Sequence, residues 1–253
     1  MNPLAGLLDV HTQLRHFAII TYEVSPDSLR PHVHPRFELD CIAGRDGAPR
    51  ALVSVVPFED EDFAFDRMPW LRLTFGQTNY RAYVRDTITG EQAVWFFGTA
   101  LDSITVALPR YGWRLPWHKA RIRFDCAYDR GAARYDAYRM NAVGAWAPAE
   151  LELQDTGVAP DRLAGFDSLA TGMQTLTHPL SGYYYRRDQR LGSYRVSHPR
   201  LQPTVGRATT ARFPLLDRLG LVADGDLSNI HSVLIQPRVA FRIHLPPTLV
   251  EAG

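Results

Sequence analysis

The chain has 253 residues, of which 45% are hydrophobic and 11% aromatic, which excludes an intrinsically disordered protein. Its formal net charge of +1 gives no long-range field to attract nucleic acid or an anionic membrane. No apolar run reaches the roughly 18 residues of a membrane-spanning helix, and the segment Met1–Gln13 lacks the pattern of a signal peptide. We therefore expect a cytoplasmic protein of bacterial type.

The first half of the chain alternates apolar and polar residues, as half-buried β-strands do. Strands are predicted over 17–22, 37–42, 51–56, 71–85 and 91–101. Ser25-Pro26-Asp27 is typical of a helix start and predicts a short helix to about His32. A second short helix is predicted over 102–108. Gly44-Arg45-Asp46-Gly47 and Asp86-Thr87-Ile88-Thr89-Gly90 supply the turn residues of two hairpins.

The second half continues in the same way. Strands are predicted over 120–128, 133–140, 183–187, 192–197 and 231–245, the last interrupted at Pro237, which lacks a ladder donor. Helices are predicted over 161–177 and 213–219. Successive hairpins without a βαβ rhythm indicate a mostly antiparallel barrel or sandwich with a few short helices. We found no repeat and no linker, so residues 1–253 are expected to form one domain.

The strand around residue 80 carries an unusual row of polar residues. Period-two geometry places Gln77, Asn79, Arg81 and Tyr83 on one face. The next strand, 93–99, is apolar on both faces, which indicates a sheet that is covered on both sides. A polar row on a covered sheet must satisfy itself or line a wet cavity. The alternative is that the row faces solvent.

Four other features have two interpretations each. The acidic run 59–62 could bind a cation, but a solvated loop is favoured. The pair His32 and His34 could ligate a metal, but a third ligand is not evident, and we predict no metal site. The Tyr- and Arg-rich hairpin 183–195 resembles single-strand binders in composition, yet the near-neutral charge argues against nucleic acid. His198 could be a core or a cavity residue, with core favoured.

The order and spacing of several motifs resemble the bacterial YqjF-like proteins, an uncharacterised family allied to acetoacetate decarboxylase. The motifs are Ser28-Leu29-Arg30-Pro31, the strand 77–84, Leu115-Pro116-Trp117-His118-Lys119-Ala120, Val196-Ser197-His198-Pro199 and the terminal strand. The resemblance covers nearly the whole chain. It implies an antiparallel acetoacetate decarboxylase-like β-barrel, with a small-molecule cavity inside and the short helices outside.

The resemblance does not extend to the catalytic residues of those enzymes. There, an arginine is followed six residues later by a proline and then by two lysines, the first of which forms a Schiff base. Here Arg110 and Pro116 keep that spacing, but Trp117 and His118 occupy the two lysine positions. The strand glutamate of the family is replaced by Gln77. Classical decarboxylation at the family position is therefore not expected.

The 28 basic residues are 27 arginines and one lysine, Lys119, which follows these two positions. A lysine amine can condense with a carbonyl to give a Schiff base, whereas a guanidinium cannot. A rival hypothesis is therefore a lyase acting on a keto acid, with Lys119 as a shifted nucleophile and His118 as a proton shuttle. Alternatively, Lys119 is a surface residue in a chain that favours arginine.

Our leading hypothesis is a small-molecule-binding protein whose ligand is an organic acid or a carbonyl compound. Arg81 or Arg110 would pair with a carboxylate, and Gln77 and Asn79 would supply neutral hydrogen bonds. Tyr83 and Trp117 complete the predicted ligand-binding set. We predict no cofactor, no nucleic-acid or membrane partner, and a possible homo-oligomer.

Overall fold

A computed structural model of the protein describes residues 8–44, 46–103 and 107–250. Its fourteen strands are β1 (Val10–Val24), β2 (Phe37–Leu39), β3 (Cys41–Ala43), β4 (Pro49–Phe65), β5 (Leu73–Asp86), β6 (Gln92–Leu101), β7 (Trp117–Lys119), β8 (Arg121–Asp129), β9 (Arg134–Val143), β10 (Ala149–Asp155), β11 (Ser181–Tyr185), β12 (Leu191–Ser197), β13 (Thr204–Arg212) and β14 (Ile230–Leu249). Its helices are α1 (Pro26–Leu29), a 3-10 turn (Arg30–His32), α2 (Ala107–Gly112), α3 (Leu169–Thr177) and α4 (Pro214–Arg218).

Seven of these strands pair in a closed ring. The order is β1, β4, β5, β6, β11, β12 and β14, and β14 pairs back onto β1. Every contact in the ring is antiparallel except β6 with β11. Closure removes the open edges that a sheet of this size would otherwise present. The predicted mostly antiparallel β-fold with a few short helices is confirmed.

A second antiparallel layer, of β8, β9, β10 and β13, lies against the outside of the ring. Two main apolar clusters follow from this arrangement because each ring strand is covered on both faces. The outer core contains Tyr80 and Trp95 of the ring together with Tyr138 of the second layer. The inner core fills the ring and contains Val94 and Phe96. Alternate residues of β6 enter opposite clusters, as its apolar sequence predicted.

Several predicted elements differ from the structure. The helix predicted over 161–177 is present only as α3, because Gly165 has a φ of +75° and the Ser168 side chain caps the helix by accepting the Thr171 amide. β14 is continuous through Pro237, which stands opposite His16, and neither residue pairs there. Of the second predicted helix, residues 104–106 lie outside the described residues, and the described helix α2 is Ala107–Gly112.

Three strands were absent from the sequence prediction, namely β7, β10 and β13. The strand predicted over 37–42 is split in two at Asp40, which pairs its amide with the carbonyl of Tyr83 at 3.1 Å. Within the described part of the chain, helices are short and polar enough that none could span a bilayer.

Candidate functional site

The ring encloses a cavity beside the inner core. Its walls come from all seven ring strands, from the last residue of α3 and from two loop residues. They comprise Thr12, Leu14, Phe17, Val56, Phe58, Asp60, Gln77, Asn79, Arg81, Val94, Phe96, Thr177, Pro179, Ser181, Gly182, Tyr194, Val196, His198, Phe241 and Ile243. The cavity volume is about 80 Å³. Since one water needs about 10–15 Å³ on this measure, the cavity has room for several waters or one small organic molecule.

Two amide side chains from the polar row of β5 lie on the cavity wall. The Gln77 Nε2 group donates to Asn79 Oδ1 at 3.0 Å, and Thr99 Oγ1 of β6 donates to the same oxygen at 2.8 Å. These bonds fix the Asn79 amide plane. They leave Asn79 Nδ2 and Gln77 Oε1 without a protein partner among the described residues, so a donor and an acceptor are available to a ligand.

Arg81 supplies a cation to the same wall. Its Nη2 donates to the carbonyl of Leu176 at 2.9 Å, in the last turn of α3, where helix carbonyls lack an intrahelical partner. Within the described ranges no carboxylate lies at ion-pair distance from Arg81, and its buried Nε has no hydrogen-bond partner. A half-buried guanidinium with a free donor is suited to an anionic ligand.

Tyr83 lies behind the cavity wall and supports Arg81. It is only 1% exposed, and its hydroxyl lies 3.4 Å from Arg81 Nη2 and 3.2 Å from the Leu176 carbonyl. Ser54 Oγ, at 2.7 Å, links it to a further hydroxyl, Thr21 Oγ1, at 2.8 Å. This chain of hydroxyls restricts the position of the guanidinium. Tyr83 is not among the residues that line the cavity.

Asp60 is the site residue that the sequence analysis missed. The acidic run 59–62, interpreted there as a solvated loop, lies within β4, and Asp60 is 2% exposed on the cavity wall. Val56, Phe58 and Asp60 alternate along the inner face of the strand. That continued alternation was the available signal, and the like charges of the neighbouring residues obscured it.

The environment of Asp60 favours its neutral form. Burial raises the pKa of the Asp60 carboxyl to about 7, against the opposing effect of the hydrogen bond that Thr12 Oγ1 donates at 2.9 Å; the charge of Glu59 raises the pKa further. A carboxyl with a pKa near neutrality can hold or release a proton at physiological pH. Ser54 of β4 pairs with Arg81, and Asp60 lies six residues further along β4. About 20 Å of strand therefore separates Asp60 from the position of Arg81.

His198 combines the two interpretations that the sequence left open, because it lines the cavity and is also packed. Its ring stacks on Phe241 with centroids 4.2 Å apart and meets His178 edge-on at 4.9 Å. Burial lowers the pKa of His198, and its hydrogen bond to the Pro199 carbonyl opposes that shift. The imidazole is therefore neutral at physiological pH.

The other four predicted site residues form a separate group around β7, and none of them lines the cavity. Arg110 Nη1 donates to the Trp117 carbonyl and lies 3.5 Å from His118 Nδ1. His118 stacks on Trp146 in the outer core at 4.1 Å, and burial, with Arg110 and Arg187 nearby, lowers its pKa to about 4.

β7 runs parallel to β6, and this pairing decides where its side chains lie. Trp117 is paired with Thr99 and packs against the inner core, next to the Asn79 end of the polar row. Lys119 is paired with Leu101 at the end of the ring and is exposed. The structure therefore brings Gln77, Asn79 and Arg81 together and leaves Lys119 outside that group.

The two cysteines are free thiols: Cys41 is exposed because β3 is a short outer strand, and Cys126 is half-buried. Within the described residues no group of three or more metal-ligating side chains is present.

The sequence profile of the DUF2071 family, described as an uncharacterized conserved protein, matches residues 11–240. No curated protein matches the sequence significantly. Several solved structures share the fold, among them the following three. The enduracididine biosynthesis enzyme MppR, complexed with pyruvate, is 14% identical, with a TM-score of 0.61 over 96% of this chain and 90% of that one.

The second is acetoacetate decarboxylase from Legionella pneumophila, 16% identical, with a TM-score of 0.58 over 96% and 87% of the two chains. The third is an acetoacetate decarboxylase-like enzyme from Sphingomonas wittichii RW1, 11% identical, with a TM-score of 0.59 over 96% and 94%. At these identities the similarity establishes the architecture and leaves the chemistry to the residues of the cavity.

Proposed function

The chain belongs to the DUF2071 family, and we propose a function from the cavity itself: the protein binds a small organic acid that also carries a carbonyl group. The carboxylate of the ligand pairs with Arg81. Asn79 Nδ2 donates to a ligand oxygen, and Gln77 Oε1 accepts from a ligand hydroxyl where one is present.

The observation that carries this proposal is the guanidinium of Arg81, which reaches the cavity without a carboxylate partner among the described residues. Taking a charge out of water is unfavourable unless another charge or several hydrogen bonds replace the solvent. The Leu176 carbonyl and the Tyr83 hydroxyl satisfy one nitrogen only, Nη2. A carboxylate in the cavity would engage the remaining donors and neutralise the charge.

The size of the cavity limits the ligand. A volume of about 80 Å³ accommodates a molecule of few heavy atoms and excludes fatty acids and nucleotides. The apolar side chains Val56, Phe58 and Phe96 suit a short hydrocarbon chain between the polar ends. The MppR structure with bound pyruvate supports the same ligand class by analogy of fold alone.

The test is a titration of the protein with pyruvate and with acetoacetate, followed by calorimetry. Replacing Arg81 by Gln removes a charge-assisted hydrogen bond worth about 1.5–3 kcal/mol, so the Kd should rise about 10- to 100-fold. The matched control is Arg85→Gln on the same strand, where the exposed guanidinium donates to the Gly90 carbonyl at 3.0 Å. Equal affinity in wild type and Arg81→Gln, or no binding of either acid to wild type, would contradict the proposal.

The lyase hypothesis with Lys119 stays a prediction. The exposed position of Lys119 gives it no support, and the proposed function does not require this amine.

A further inference from the structure

A second group of charged side chains lies outside the ring, where the turn between β11 and β12 meets α2. Five arginines and one aspartate come together there, which leaves a formal charge of +4; they are Arg110, Arg114, Arg186, Arg187, Arg190 and Asp188. The segment that follows α2 is joined to the turn by a backbone hydrogen bond, in which the Arg187 amide donates to the Arg114 carbonyl at 3.0 Å. This charge is concentrated in a chain whose total is only +1.

Asp188 neutralises only part of this group. Its carboxylate accepts from Arg114 at 2.9 Å, from Arg186 at 3.1 Å and from Arg190 at 3.2 Å. In the described part of the chain no carboxylate lies within ion-pair distance of Arg110 or Arg187.

The two unneutralised guanidiniums converge on one exposed phenol. The Cζ atoms of Arg187 and Arg110 lie 5.1 Å and 6.0 Å from the ring centroid of Tyr111, which is 67% exposed. A hydrogen bond from Arg187, reinforced by the charges of Arg110 and Arg187, lowers the pKa of Tyr111. Both cations also lie near enough to His118 to lower its pKa.

We propose that Arg110, Arg187 and Tyr111 form a surface binding site for a phosphoryl group, separate from the cavity. Two guanidiniums can each give paired N–H donors to phosphate oxygens, and the phenol adds a further donor. A dianionic phosphate monoester fits two uncompensated cations better than a monocarboxylate does. The aromatic ring provides an apolar surface against which the rest of the small molecule can lie.

The site is distinct from the cavity. Ser181, at the start of β11, lines the cavity, whereas Arg187 lies in the turn beyond the opposite end of that strand, which is itself about 13 Å long. The failure of one site therefore does not imply failure of the other, and Arg81→Gln should leave phosphate binding unchanged.

The experiment is a titration with inorganic phosphate and with glycerol phosphate at constant ionic strength. Arg187→Gln is the test variant, because the Arg187 guanidinium contacts the Tyr111 ring and pairs with no carboxylate among the described residues. Arg190→Gln is the control, because it removes the same charge from the same turn but from the neutralised group around Asp188. We expect saturable binding that weakens about tenfold or more in Arg187→Gln and less than about twofold in Arg190→Gln.

A second readout follows the ultraviolet absorption of the Tyr111 phenolate, identified by subtracting the titration of Tyr111→Phe. Bound phosphate competes for the two guanidiniums that stabilise the phenolate, so it should move the titration of Tyr111 to higher pH. Equal losses of affinity in both arginine variants, or an unchanged Tyr111 titration at saturating phosphate, would overturn the proposal. The proposal would also be overturned if the protein bound a short single-stranded oligonucleotide and both variants weakened that binding equally. Such a result would indicate a diffuse basic surface.

Discussion

Replacing Asp60 by Asn should change how the stability of the protein depends on pH. In the unfolded chain an aspartate titrates at about 3.9, whereas burial raises the pKa of Asp60 to about 7 in the folded protein. Between these two pH values the unfolded chain has lost a proton that the folded protein keeps. Wild-type stability therefore falls as the pH rises from about 4 to 7, and the contribution is lost above the folded pKa.

The difference of about three pKa units, at about 1.4 kcal/mol each, corresponds to about 4 kcal/mol. The amide of Asp60→Asn has nearly the same shape, can accept from Thr12 and cannot ionise. Urea unfolding at pH 4 and pH 8 gives the free energy of unfolding for each protein. Between those pH values wild type should lose up to about 4 kcal/mol more than the variant, since all other groups titrate in both.

The control is Asp62→Asn, two residues along β4, where the side chain is 49% exposed and pairs with Arg72 at 3.4 Å. An exposed pair of this kind contributes about 0–1 kcal/mol, so its pH dependence should follow wild type. A difference of less than about 1 kcal/mol between wild type and Asp60→Asn would refute the reasoning. A difference of the opposite sign would mean that the folded protein stabilises the carboxylate.

Three further predictions address the cavity wall, the lysine and a helix end. Tyr83→Phe should weaken keto-acid binding by about tenfold or less while the fold persists, because the loss of the hydroxyl frees the Arg81 guanidinium without removing its charge. Unchanged affinity would argue against a role of Tyr83 in positioning Arg81. Borohydride reduction in the presence of pyruvate should add no mass at Lys119, since the amine lies outside the cavity. Mass spectrometry that finds an adduct in wild type but not in Lys119→Arg would instead support the lyase hypothesis. Ser168→Ala should cost about 1 kcal/mol in urea unfolding, because the Thr171 amide loses its cap; no loss would show that α3 is held by packing alone.

The sequence by itself predicted most of the strands and which of their residues share a face. Period-two alternation placed Gln77, Asn79 and Arg81 together, and the two apolar faces of β6 predicted a sheet covered on both sides. These patterns are local, because each depends only on residues a few positions apart in one strand.

Only the tertiary structure decided which faces enclose the cavity. Ring closure joins β1 to β14 across more than two hundred residues, and no local pattern encodes that pairing. Asp60 became buried because it lies on the face of β4 that lines the cavity, although its neighbours carry the same charge. Lys119 remained exposed because β7 pairs in parallel with the last residues of β6, which places the lysine at the end of the ring.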